Sequence, residues 1–159
     1  MERIAFDLDI EMPVSGVYEM ITSLGGLRSW LSRDISGSPA KGETLILGFG
    51  SEQSTHVLVT DCKPNKLLKW TVLRSTFTPN QEEFPTSVRI DLTENASRGT
   101  TLRMRHDGWN EITEFYRISG FQWEKALASL KLVCETGKGE PLTHAMLTSR
   151  KATGWFPVS

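Results

Sequence analysis

The feature that most constrains the fold is a long amphipathic segment near the end of the chain, from Glu111 to Gly137. Within it, Trp123, Leu127, Leu130 and Cys134 recur at intervals of three or four residues, which places them on one face of a helix. Charged residues fall between them and can remain in water. A long helix that closes a chain made mostly of strands needs a sheet against which to bury its apolar face. The segment therefore predicts a helix packed on a sheet.

Before this helix, apolar and polar residues alternate over short stretches, which predicts β-strands. The first stretch places Ile4, Phe6, Leu8 and Ile10 on one face. Further strands are predicted at residues 43–49, 56–62, 67–74, 87–93 and 101–106. Polar turns separate the second from the third of these and the fourth from the fifth, so each pair is predicted to form a hairpin.

Two short helices are predicted after the first strand. Pro13 suits the first turn of a helix because its missing N–H needs no partner there, and apolar residues follow at helical spacing to Ile21. Residues 23–26, which include the pair Gly25-Gly26, are interpreted as a turn, and residues 27–31 as the second helix. The stretch that follows, up to the strand at residue 43, is predicted to be turn-rich.

Gly120 lies within the pattern of the long helix. A glycine inside a helix destabilises it by about 0.5–1 kcal/mol relative to alanine. Two interpretations fit equally well. Either the glycine allows a bend in the helix or a close approach of the sheet, or the helix itself starts only near Phe121.

The composition limits the class of protein and its partners. A length of 159 residues fits one domain with a substantial core. Charged residues make up 23% of the chain and the net charge is −1, so we expect no nucleic-acid partner. No apolar run approaches the roughly 20 residues of a membrane span. The strand pattern also begins at once, so we expect neither a span nor a signal peptide.

The cysteines and histidines have no spacing typical of a chemical site. Cys62 and Cys134 are interpreted as buried free thiols in a reducing cytoplasm, with a disulfide between them as the less favoured alternative. Together with His56, His106 and His144 they lack the ligand spacing of a metal site, so we expect no metal and no cofactor. No Ser-His-Asp or Cys-His arrangement emerges, so we name no catalytic residues.

The chain divides into a domain at residues 1–138 and a C-terminal tail at residues 139–159. The tail is rich in glycine and proline, and residues 142–149 are predicted to form one or two helical turns. Trp155 and Phe156 are large apolar side chains, so we expect them to pack on the domain or across a homodimer.

Several short motifs occur in a characteristic order. They are Met12-Pro13-Val14 with Val17-Tyr18, Leu27-Arg28-Ser29-Trp30, Leu67-Leu68-Lys69-Trp70, Gly99-Thr100-Thr101-Leu102 with His106 and Gly108, and Trp123 with Leu127, Leu130, Lys131 and Gly137. Together they span residues 3–138 and resemble the START/polyketide-cyclase (SRPBCC) superfamily. The branch they are most similar to is that of the C-terminal domain of the heat-shock-protein ATPase activators.

This resemblance implies an α+β fold of the helix-grip, or Bet v 1-like, type. A curved antiparallel sheet would wrap around the long C-terminal helix, with two short helices after the first strand. In such folds the sheet and helix enclose a cavity. The candidate ligand-binding residues are Trp30, Phe49, Trp70, Met104, His106, Phe115, Trp123 and Leu127. The alternative for each aromatic residue is that it simply fills the core.

Three functions remain open at this point. The leading hypothesis is a binding module that holds a small hydrophobic or amphipathic ligand under the long helix. The second is a cyclase- or dehydratase-like enzyme, as the superfamily implies, with His106 as acid or base; the alternative for His106 is a purely structural role. The third is a protein-interaction module, as the likeness to chaperone-ATPase activators implies.

Overall fold

In residues 2–50 and 52–149, the part of the chain that the computed structural model describes, seven strands form one antiparallel sheet. The strands are β1 (Glu2–Ile10), β2 (Asp34–Gly37), β3 (Thr44–Gly50), β4 (Gln53–Lys63), β5 (Leu67–Ser75), β6 (Thr86–Glu94) and β7 (Thr100–Trp109). Their spatial order is β1-β7-β6-β5-β4-β3-β2. The helices are α1 (Val14–Thr22), α2 (Leu24–Trp30), α3 (Glu114–Thr136) and α4 (His144–Ser149). This is the predicted α+β helix-grip architecture.

The connection through α1 and α2 carries the chain from one edge of the sheet to the other. β1 and β2 are the two edge strands, and from β2 onward each strand pairs with the next along the chain. β7 then returns to lie beside β1. β1 therefore joins the sheet only through its pairing with β7, the last strand of the chain.

The predicted inward face of the first strand is the one observed. In β1, Ile4 and Ile10 are buried while the intervening Asp7 and Asp9 are exposed. The inward residues of β6 and β7 stand directly opposite one another as the pairs Val88–His106, Ile90–Met104 and Leu92–Leu102. All six are buried, so they form the floor of the core beneath α3.

The long helix is confirmed, and its ends are set by two local features. The Thr113 side chain accepts a hydrogen bond from the Tyr116 N–H and caps the first turn. Gly137 adopts φ 89° and ends the helix in the left-handed conformation that favours glycine. Gly120 is buried inside the helix, so the interpretation that the helix starts only near Phe121 is wrong.

The turn assigned to residues 23–26 is also wrong, because Gly25 and Gly26 lie in the first turn of α2. The Ser23 hydroxyl accepts a hydrogen bond of 3.0 Å from the Gly26 N–H and caps the helix there. A Cβ on Gly26 would stand 2.5 Å from the Met20 carbonyl oxygen. The glycine therefore permits close packing of α1 on α2.

The segment predicted to be turn-rich contains an edge strand, β2, that pairs antiparallel with β3. Its sequence, Asp34-Ile35-Ser36-Gly37, has one apolar residue, and only Ile35 is buried. With a single inward side chain there is no alternation to detect, which explains why the pattern did not predict it.

The described part of the tail, residues 139–149, packs on the domain, and we call it the C-terminal strap. The Glu140 N–H donates to the Ser129 hydroxyl at 2.8 Å, and the Leu142 N–H donates to the Leu31 carbonyl at 2.9 Å. Leu142 and Leu147 are buried in the core. The predicted helical turns are present as α4, whereas Trp155 and Phe156 lie outside the described residues.

Cys62 and Cys134 are both free thiols, so no disulfide joins them. None of the helices among the described residues is long and apolar enough to cross a membrane.

The two adjacent glycines of α2 offer a matched pair of substitutions. Gly26→Ala should destabilise the domain by about 1–3 kcal/mol, because the new methyl group overpacks the α1–α2 contact. Gly25→Ala meets nothing within 4 Å, so it should be neutral or stabilising by up to about 1 kcal/mol. Urea unfolding of both variants measures the difference. Equal effects would mean that Gly26 is not required for helix packing.

Candidate functional site

A cavity of about 50 Å³ lies between the inner face of the sheet and α3. Its lining draws on every strand from β3 to β7, on α3 and on the C-terminal strap. The lining residues are Leu31, Leu47, Phe49, Thr55, Val57, Trp70, Val72, Val88, His106, Phe115, Ser119, Gln122, Trp123, Ala126 and Leu142. An apolar cavity of about 150 Å³ is known to hold one benzene molecule. The space here therefore admits only water-sized groups unless its walls move.

Five of the eight predicted ligand-binding residues converge on this cavity: Phe49, Trp70, His106, Phe115 and Trp123. The other three, Trp30, Met104 and Leu127, are buried in the core but do not line the cavity. The indole N–H of Trp30 donates to the Met20 carbonyl at 2.9 Å and ties α2 to α1. Trp30 therefore has a packing role in this structure.

His106 is the polar centre of the site, and both of its ring nitrogens are engaged. The Trp123 indole N–H donates to Nδ1 at 3.0 Å. An indole nitrogen can only donate, so Nδ1 is unprotonated and the proton of the neutral ring is on Nε2. Nε2 lies 2.8 Å from the Thr86 hydroxyl, to which it therefore donates. Complete burial lowers the pKa of His106 to about 3.

This arrangement limits the chemistry that His106 can perform. A general base needs a free lone pair within reach of the substrate. The Nδ1 lone pair accepts from Trp123, and Nε2 already carries a proton. His106 is therefore a neutral residue that joins α3 to the sheet.

Trp109 supports His106 and was missed as a site residue. Its indole N–H donates to the His106 carbonyl at 3.0 Å, and the two rings lie 4.7 Å apart. Gly108 has φ 98°, and the β1–β7 register shifts between Glu2 and Ile4. A bulge with glycine at positive φ changes which face the following residue occupies. Strict alternation from His106 would instead place Trp109 on the outer face.

Two polar residues of α3 were also missed. Ser119 and Gln122 line the cavity beside Phe115 and Trp123. The helical pattern counted apolar residues only, although positions three and four apart share a face whatever their polarity. Gln122 Nε2 is buried, and no residue in the described ranges gives it a hydrogen-bond partner. The spacing of three residues between Ser119 and Gln122 could have indicated that both lie on the same face of the helix.

The charged groups of the domain lie away from the cavity. Among its described lining residues there is no Asp, Glu, Lys, Arg, Tyr or Cys. In the described ranges, no group of three or more His, Cys, Asp or Glu side chains is placed to hold a metal ion. The site is thus an apolar space with four polar side chains: Thr55, His106, Ser119 and Gln122. Thr55 is already bonded to the Ser75 hydroxyl at 2.9 Å.

The sheet, the long helix and the cavity between them define a domain with the helix-grip fold. Residues 11–135 match the model of the family described as Activator of Hsp90 ATPase homolog 1-like protein, and the chain belongs to that family. The predicted superfamily and branch are thereby confirmed. No curated protein matches the chain.

Among solved structures, the chain is similar to the Aha1 dimer from Colwellia psychrerythraea. The two share 28% identity and a TM-score of 0.77 over 87% of this chain and 100% of that one. The protein MLL2253 from Mesorhizobium loti shares 20% identity and a TM-score of 0.73, over 83% and 96% of the two chains. CalU16 from Micromonospora echinospora shares 18% identity and a TM-score of 0.68, over 96% of this chain and 85% of that one. The latter two likenesses show the fold alone.

The buried His106 predicts a specific pH dependence of stability. Its folded-state pKa of about 3 lies below the ordinary 6.5, so the unfolded chain binds more protons between these values. Stability is therefore fully present above pH 6.5 and falls as the pH decreases. The slope attributable to this residue approaches about 1.4 kcal/mol per pH unit. Urea unfolding at pH 7, 6 and 5 measures it.

The non-titrating variant His106→Asn isolates this contribution. It should be less stable at pH 7, because it loses packing and a hydrogen bond, but its stability should fall less steeply from pH 7 to 5. His56→Gln, at a partly exposed histidine beside Arg74, is the control and should retain most of the wild-type slope. Parallel profiles for wild type and His106→Asn would show that His106 is not held neutral.

Proposed function

We propose that this chain is a binding module that takes a small, mostly apolar molecule into the cavity between the sheet and α3. The observation that carries this proposal is the composition of the lining. Phe49 and Trp70 from the sheet face Phe115 and Trp123 from the helix, and the remaining walls are largely aliphatic. Apolar walls with a few placed polar groups are typical of small-molecule sites.

The absence of a proton-transfer group supports binding over catalysis. A cyclase or dehydratase needs a side chain that can take up or release a proton near the substrate. His106 has both nitrogens engaged, and the described lining contains no carboxylate, amine, phenol or thiol. The enzyme alternative would therefore have to rely on a group outside this lining.

The volume of about 50 Å³ requires one wall to move when a larger molecule enters. The wall that we propose moves is Leu142 of the C-terminal strap. The strap lies beyond residues 11–135, which match the family, and it is joined to the domain by few backbone hydrogen bonds. The strands are held by continuous ladders of backbone hydrogen bonds, and α3 is held by twelve buried residues and the Trp123–His106 hydrogen bond. Displacing the strap therefore disrupts fewer contacts.

Removing the Leu142 side chain tests this proposal. Leu142→Ala should destabilise the domain by about 2–5 kcal/mol and should bind toluene several-fold more tightly than the wild type. The indole N–H signals of Trp70 and Trp123 in ¹H–¹⁵N spectra report entry of toluene. Leu102→Ala removes a buried leucine of β7 that belongs neither to the strap nor to the cavity lining, so its affinity should stay at the wild-type level. Absence of toluene binding in every variant would contradict the proposal.

A second candidate function is activation of a chaperone ATPase. It is favoured by the family to which the chain belongs and by the likeness to the whole length of the Aha1 chain from Colwellia psychrerythraea. If it is correct, adding the chain to Hsp90 should raise the rate of ATP hydrolysis, measured as phosphate release. An unchanged rate over a tenfold excess of the chain would leave ligand binding as the only supported function.

Self-association is a related proposal, because the similar Colwellia protein was solved as a dimer. Among the described residues, the large apolar side chains Ile46, Leu73 and Ile112 are exposed and are available for contacts between copies. Light scattering of the full chain should give twice the mass of 17.8 kDa. A measured mass equal to that of one chain at micromolar concentration would contradict the proposed homodimer.

A further inference from the structure

Gln122 presents an unsatisfied donor at an otherwise apolar cavity. Its side chain lines the cavity from α3, and its Nε2 atom is buried. Within the described ranges this nitrogen has no hydrogen-bond partner. Buried polar atoms in native proteins are nearly always paired, so an unpaired one needs a specific explanation.

We infer that the molecule taken up by this site carries an uncharged oxygen acceptor, of the ketone, aldehyde or ester class, that accepts a hydrogen bond from Gln122. This inference rests on the proposed binding function. A side-chain amide nitrogen is a donor only, so its partner must be an acceptor. A carbonyl oxygen provides that acceptor within an otherwise apolar molecule.

The neighbouring polar groups support Gln122 as the contact. His106 is bonded through both nitrogens to Thr86 and Trp123, and Thr55 is bonded to Ser75. His106 and Thr55 therefore already have partners, whereas Gln122 Nε2 has none in the described ranges. Ser119, the fourth polar lining residue, has a hydroxyl that can donate or accept, so it does not require an acceptor as the Gln122 nitrogen does. The remainder of the lining is almost entirely apolar, which fits the hydrocarbon part of the molecule.

The charge of the site excludes a carboxylate as the acceptor. No Lys or Arg is among the described residues that line the cavity, and His106 is neutral. Burying an anion without a cationic partner is strongly unfavourable. A neutral carbonyl oxygen needs no cationic partner and can accept from the NH₂ group of Gln122.

The test uses two probes of nearly the same shape, cyclopentanone and methylenecyclopentane, which differ by an oxygen in place of a CH₂ group. Each is titrated into the full chain, in wild type and in Leu142→Ala. Both probes should shift the Trp123 indole N–H signal, which reports entry into the cavity. Only cyclopentanone should shift the side-chain NH₂ signals of Gln122 downfield.

Gln122→Met supplies the quantitative comparison, because methionine resembles glutamine in length but has no N–H. The ratio of the two dissociation constants, alkene over ketone, should fall about fivefold or more from wild type to Gln122→Met. Comparing ratios removes the difference in hydration between the probes. Gln81→Met makes the same replacement at an exposed glutamine that does not line the cavity, so it is the control and should leave the ratio unchanged.

The outcomes separate this inference from the proposed function. If neither probe moves the Trp123 signal, even in Leu142→Ala, the binding function itself fails. If both probes enter but the ratio is the same in wild type and Gln122→Met, binding stands and the role of Gln122 is overturned. If Gln122→Met does not fold, the wild-type NH₂ signals decide, and their failure to respond to cyclopentanone also overturns it.

Discussion

The hydrogen bond from Trp123 to His106 is the contact on which the centre of this domain depends. It joins α3 to β7, and the second nitrogen of His106 extends the chain of bonds to Thr86 on β6. Each of these groups is buried, so a displaced helix would leave polar atoms without partners. Apolar packing alone would tolerate a small slide of α3 along the sheet. The hydrogen bonds that link Trp123, His106 and Thr86 instead fix the position of α3 on the sheet. They thereby determine which residues of the helix face the cavity.

The same contact explains why the site is mostly filled. Holding α3 in place brings Trp123 and Phe115 over Trp70 and Phe49, and large rings occupy most of the space between the layers. These four aromatic residues are buried in the core and also line the small cavity, and ligand binding by them stays a prediction. The strap closes one side through Leu142, so the volume that a ligand encounters depends on a segment outside the family match.

Repeating patterns were predictable from the sequence, and single local events were not. The long strands and α3 have many residues in phase, so the periodicity alone was enough to assign their faces. β2 buries only Ile35, and the pair Gly25-Gly26 is helical because Ser23 caps it and α1 packs closely. These features depend on contacts that no repeating pattern records. Trp109 was missed for a similar reason, since one bulge at Gly108 reverses the strand phase.

The position of β1 beside β7 has a consequence for how the chain reaches this state. Asp9 meets Thr101 across 92 residues of sequence, and Arg3 meets Asp107 across 104. Pairings of such long range slow folding, because a large loop must close before they form. During synthesis β1 therefore stays unpaired until β7, the last strand of the sheet, has been synthesised. Its alternating carboxylates, Asp7 among them, give this unpaired strand one charged face that discourages pairing with other nascent chains.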